Sequence, residues 1–225
     1  MENIEDIKNG KKISNSLTNE LYLYNNILYK IFNNLFDIEK KELLLKKLYN
    51  NPIKDCSNIY NFLYEDELIG YGMEYYNNYI PLKKIKKIPF EYKKIYAHKL
   101  IEIYNKLKEL GYIYYDFHGD NILVNKDELK LIDIDNCLLN NEFNNKLGTR
   151  ILSEMIVSIL FDCKFFDYQV YFYKDEQEKI IDILFSGLND GYNKINLNEL
   201  NNYIEDLTKK DIKIIKKYLP KNILK

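Results

Sequence analysis

The stretch DFHGDN, residues 116–121, sets an aspartate, a histidine, a second aspartate and an asparagine within six positions, and an apolar ILV follows at once. Asp116 and Asn121 are five apart, a spacing that lets one loop aim a carboxylate at a proton and an amide oxygen at a cation. Twelve residues past Asn121, Asp133 closes the apolar run LKLI, so its carboxylate emerges where a strand stops. Carboxylate and amide oxygens are hard ligands of the kind Mg²⁺ prefers. Far upstream, Lys30 sits in the β-prone run ILYKIF. A cation for phosphate oxygens, hard metal ligands and a carboxylate beside an acceptor hydroxyl are the parts that phosphoryl transfer from ATP needs. Each residue alone has a plainer reading, since Lys30 is one lysine among many and Asp and Asn form turns. Their order along the chain carries the chemistry.

The elements that must position these residues can be read from the pattern. Short β-prone runs at KKIS, ELYLY and ILYKIF predict strands, with Asn25-Asn26 as a tight hairpin turn. DIEKKELLLKKLY, residues 37–49, predicts a helix with Asp37 as cap and Leu44, Leu45 and Leu48 on one face, closed by Pro52. Residues 59–76 predict a second hairpin turning at Glu65-Asp66-Glu67, and residues 90–110 a long helix stopped by Gly111. ILV and LKLIDI predict two strands joined by the polar NKDE turn. From residue 151 onward the chain reads as helices: ILSEMIVSILF, EQEKIIDILFSGL, LNELNNYIEDL and KDIKIIKKYL. A β-rich half with one helix thus precedes a mostly helical half.

With these elements in place, DFHGDNIL and LIDID together resemble the protein-kinase-like superfamily, whose catalytic loop carries an Asp and an Asn five apart, followed by the metal-binding Asp of a DFG-type motif. The resemblance covers roughly residues 11–160. It implies an α+β, two-lobed protein-kinase-like fold as a single domain over 1–225. The small β-rich N-lobe would take about 1–76, the hinge and mostly helical C-lobe 77–225, with ATP and Mg²⁺ bound between the lobes. It implies Asp116 as catalytic base, Asn121 and Asp133 as metal ligands and Lys30 as the phosphate-binding lysine. Glu42 would be the helix partner of Lys30, ahead of Glu39. GYGMEYY resembles the hinge, with Met73 as gatekeeper and Glu74 and Tyr76 offering backbone groups to adenine.

Several positions depart from the family pattern. Tyr114-Tyr115-Asp116 stands where HRD is usual, which removes the arginine that senses a phosphorylated activation loop. His118 lies two past the catalytic Asp, as in aminoglycoside phosphotransferases and choline kinases, and is counted with the catalytic residues. Asp135 replaces the DFG glycine. Ser14, Ser16 and Asn19 fall where the glycines of the phosphate-cradling loop would be. The implied activity is Mg-ATP-dependent transfer to a Ser/Thr hydroxyl of a protein substrate. A small-molecule kinase and a pseudokinase serving as a binding module are the alternatives.

Composition narrows the field. Lys+Arg is 33 against Asp+Glu 34, a net charge of −1 that gives no general attraction to nucleic acid or membrane. Arg150 is the sole arginine, so an arginine docking patch is absent. Cys56, Cys137 and Cys163 are scattered without CxxC spacing, which favours neither a disulfide framework nor zinc and fits a reducing cytoplasm. The opening MENIEDIKNG lacks an apolar signal core, and no apolar stretch reaches spanning length. The expectation is a soluble, cytoplasmic protein of undetermined oligomeric state.

Overall fold

The structure, a computed structural model, describes residues 3–34, 37–162 and 197–217. It is a mixed α+β protein with a sheet-rich N-terminal region and helices later in the chain. The chain divides into two compact units, Met1–Asn78 with Asp133–Asp135, and Tyr79–Ile132 with Asn136–Lys225.

The first unit is built on a five-stranded antiparallel sheet in the order β1-β2-β3-β5-β4, where β1 is Lys11–Asn15, β2 Asn19–Tyr24, β3 Ile27–Phe32, β4 Ile59–Tyr64 and β5 Leu68–Glu74. The β2–β3 turn falls at Asn25 and Asn26, both in the left-handed region (φ 50° and 63°), as a two-residue hairpin requires. The second hairpin turns between Tyr64 and Leu68 as its sequence predicts. Side chains alternate along β3. Tyr29 and Ile31 join one buried cluster with Tyr22, Leu63 and Ile7 of the short helix α1 (Ile4–Lys8), while Lys30 projects to the other face. Lys30 is paired directly across from Tyr71 of β5, so the two side chains stand on the same face.

Helix α2, Ile38–Asn50, buries Ile38, Leu44, Leu45 and Leu48. Asp37 does not cap it as expected. Its backbone is left-handed (φ 56°), and its carboxylate takes Lys40 rather than a helix amide.

The second unit is organised around helix α3, Phe90–Glu109, whose buried stripe runs through Tyr96, Leu100, Tyr104 and Leu107. Gly111, with φ 88°, stops it where a side chain would be strained. A three-stranded sheet places β6 (Ile80–Pro81) beside the hairpin of β8 (Ile122–Asn125) and β9 (Glu128–Leu131), and a two-stranded ladder pairs β7 (Tyr112–Tyr114) with β10 (Cys137–Leu139). Helix α4, Glu142–Phe161, packs on α3 and begins nine residues before the predicted ILSEMIVSILF. The Asn141 side chain accepts from the Asn144 amide and so starts it early. Helices α5 (Leu197–Asp206) and α6 (Lys209–Ile215) follow, the second opened by a Thr208–Asp211 capping box. The predicted helix EQEKIIDILFSGL and Cys163 lie outside the described residues. No described helix is long and apolar enough to cross a membrane.

Candidate functional site

The candidate residues fall into two groups, one in each unit. In the first unit Lys30 is 3% exposed and donates to Asp133 and, at 2.7 Å, to Asp135. Asp135 is the hub. Its Oδ1 accepts from Lys30 and from the Tyr71 hydroxyl at 2.9 Å, and its Oδ2 accepts from Lys41 of α2 at 2.9 Å. Lys41 also lies over the Phe32 ring, 4.7 Å from its centroid. Two ammonium groups and two carboxylates make the cluster formally neutral, the condition under which buried charge is tolerated.

The two carboxylates respond in opposite directions. Burial raises the affinity of both for a proton. At Asp135 the adjoining Lys30 and Lys41 more than reverse this and hold the acid well below the usual carboxylate range. At Asp133 burial prevails, aided by the Asp135 charge and opposed by Lys30, and the acid is raised. Lys30 is itself raised: burial lowers it, and Asp135 and Asp133 together overcome that. Asp133 has a left-handed backbone (φ 60°), which costs a residue with a side chain about 1 kcal/mol. Its side chain stays 31% exposed, with one oxygen on Lys30.

Glu42, expected to hold Lys30, is engaged elsewhere. Its carboxylate accepts from the Tyr64 hydroxyl at 2.8 Å and from Lys46 at 2.6 Å, one helical turn on. The helical wheel explains this. Lys41 lies one turn before Leu45 and two before Leu48, at the centre of the buried stripe, and Glu42 is about 100° further round. Asp135 and Lys41 are the residues that reading the sequence missed. Two signals were available: the acidic replacement of the glycine in DID, and the position of Lys41 on the wheel.

The second group is the loop between β7 and β8. Phe117 is buried edge-on against Tyr114, with ring centroids 4.8 Å apart, and anchors the loop so that Asp116 and His118 flank it. Asn121 is 6% exposed, and its side-chain nitrogen donates to the Tyr114 hydroxyl (3.1 Å), the Asp116 carbonyl (3.2 Å) and the Asp116 carboxylate (3.0 Å). That leaves the Asn121 amide oxygen as the group available to a cation. The His118 Nδ1 accepts from the Asp120 amide at 3.3 Å, which puts the ring proton on Nε2, 3.5 Å from Asp116 Oδ1. Burial and the Asp116 charge raise the neighbouring Tyr115 hydroxyl. Gly119 is required by close approach. A Cβ there would lie 2.8 Å from Lys83 Cβ, and its carbonyl accepts from the Lys83 amide.

The remaining expected residues are occupied locally. Ser16 Oγ accepts from the amides of Thr18 (3.3 Å) and Asn19 (3.1 Å), closing the tip of the β1–β2 hairpin. Of the three positions expected at the phosphate loop, Asn19 therefore spends its amide on the Ser16 hydroxyl, and Ser14 sits at a register shift of β1. The Glu74 amide donates to the Asn58 carbonyl, and its carboxylate accepts from Asn58 (2.8 Å) and the Tyr76 hydroxyl (2.9 Å). Burial, then Glu74, push that hydroxyl far up.

Among the described residues no group of three or more His, Cys, Asp or Glu side chains is arranged to hold a metal. Mg²⁺ does not demand one, because it is commonly bound through one or two protein oxygens, substrate phosphates and water. Amide and carboxylate oxygens, such as Asn121 and Asp133 carry, are each hard donors of that kind. No protein-family model matches the sequence, and no curated protein matches it either.

Proposed function

We propose that this protein is a Mg-ATP-dependent phosphotransferase of the protein-kinase-like class, acting on a hydroxyl and most simply on a Ser/Thr hydroxyl of a protein. The observation that carries the reading is Lys30, a buried lysine on the middle strand of the first unit's sheet, paired to the aspartate that closes the LKLI strand. The second unit carries a loop in which Asn121 is hydrogen-bonded to Asp116 five residues earlier. Lys30 would meet nucleotide phosphate oxygens, and Asn121 and Asp133 would hold Mg²⁺, whose charge offsets that of the phosphates. Asp116 would accept the proton of the acceptor hydroxyl, and His118 Nε2–H would orient its carboxylate.

Incubation with labelled ATP and Mg²⁺, alone and with a lysate, tests this. Wild type should transfer label and Asp116→Ala should not. Label transfer by Asp133→Asn at the wild-type rate would defeat the mechanism. The Ser16 contacts, which occupy two hairpin amides, favour a second reading, a nucleotide-binding module without transfer. Mg-ATP stabilisation against unfolding with no label transferred would select it.

A further inference from the structure

We infer that Asp135 and Lys41 form the clamp that holds Lys30 for nucleotide phosphate, in place of a helix carboxylate, so that Asp133 is left for the cation; this rests on the function proposed above. Three contacts fix Asp135: Lys30, Lys41 and the Tyr71 hydroxyl. Asp133 has its Lys30 contact and partial exposure. Of the two acids on Lys30, Asp133 is therefore the one that can turn to a cation while the lysine stays in place.

The polarity of the clamp is exchanged. Helix α2 supplies a cation, Lys41, and the segment after β9 supplies the anion. A carboxylate at position 41 would project from α2 toward Asp135, where Lys41 Nζ now lies 2.9 Å from Oδ2, and would repel it. The lysine at 41 and the aspartate at 135 thus require each other, and Glu42 is free to serve Tyr64 and Lys46. Stability alone gives little reason for four charges here, because apolar residues of the same volume commonly serve a core as well. Fixing one ammonium in position does give a reason. Asp135 and Lys41 are positioning residues, acting on the nucleotide through Lys30.

The test measures binding of Mg-ATP and, separately, of adenosine by calorimetry, with the unfolding midpoint of each protein. Asp135→Asn alone leaves an excess buried ammonium, so the charge-balanced pair Asp135→Asn with Lys41→Met is the main variant. It should fold, lose about tenfold or more in Mg-ATP affinity and keep adenosine affinity within about twofold, since Lys30 addresses phosphate and not the base. Glu42→Gln should match wild type for both ligands. A purely structural role would weaken both ligands together and overturns the inference. So does a balanced variant that binds Mg-ATP as wild type does, or a tenfold loss in Glu42→Gln, which needs no change to the cluster. If wild type itself binds no Mg-ATP, the functional reading fails and the clamp with it. If wild type binds and the variants behave in the wrong order, only the clamp fails.

Discussion

The Lys30 cluster and the Asp116 loop hold their polar groups by different means. In the first unit, charge is buried and compensated internally: Lys30 and Asp135 are nearly inaccessible, and each charge there is balanced by another. In the second unit, Asp116 and His118 keep about a quarter of their side chains exposed. The aromatic anchor Phe117 and the amide of Asn121 hold the loop, and Asp116 and His118 face each other at 3.5 Å. The difference teaches where a mutation should register. Breaking an internally balanced ion cluster strands a buried charge and is felt as lost stability. Removing a partly exposed carboxylate leaves water to fill its place and is felt as lost chemistry.

The largest expected effect is in the first unit. Lys30→Met leaves Asp133 and Asp135 with Lys41 as the remaining cation, and should lower the unfolding free energy by about 3–5 kcal/mol in urea titration. A cost under about 1 kcal/mol would erase the contrast between the units. Asp116→Asn should do the reverse. Label transfer from ATP should fall about 10²–10⁴-fold, and the urea midpoint should move by less than about 1 kcal/mol equivalent.

Tyr114→Phe probes the loop's support. The hydroxyl accepts from Asn121 and donates to the Ile132 carbonyl at 3.4 Å, so its loss should cost about 1 kcal/mol, with a smaller fall in transfer than Asp116→Asn gives. The smallest expected change is a pH dependence, that of a structural ion cluster inside the second unit. Asp162 accepts from the buried Lys93 and from Lys216, each at 2.6 Å. Burial would raise this acid, and Lys216 and Lys93 instead bring it below its ordinary value. A carboxylate lowered by folding contributes stability above its unfolded value, near pH 4, and loses it as pH falls through the folded value. The stability gap between wild type and Asp162→Asn should therefore hold at neutral pH and narrow on the acid side, read from denaturation at several pH values. A gap that narrowed on the alkaline side would contradict the sign.

Much of the local structure was legible before the fold. Asn25-Asn26 announced a hairpin because few residues tolerate two successive left-handed conformations. Leu44, Leu45 and Leu48 announced the buried stripe of α2, and Gly111 the end of α3. The three-residue strands β7 and β10 escaped notice, since a run that short shows no period and exists only through its partner: Tyr114 pairs with Cys137. Helix α1 and the earlier start of α4 were missed for a similar reason, because a capping asparagine is hard to tell from the many others in this chain.

By itself the sequence determined the order of the chemical groups: a lysine on a strand, an aspartate and an asparagine five apart in a loop, and an aspartate where a later strand ends. Spacing within one loop or one helix is a local property, set by bond geometry and turn preference. Which acid takes Lys30 was decided only by the tertiary structure. Asp133 and Asp135 lie 103 and 105 residues away along the chain, whereas Glu42 is far closer in sequence and points elsewhere. A buried ammonium must be answered by whatever anion the packing buries beside it. Here, Lys41 at the centre of the α2 stripe made that anion Asp135.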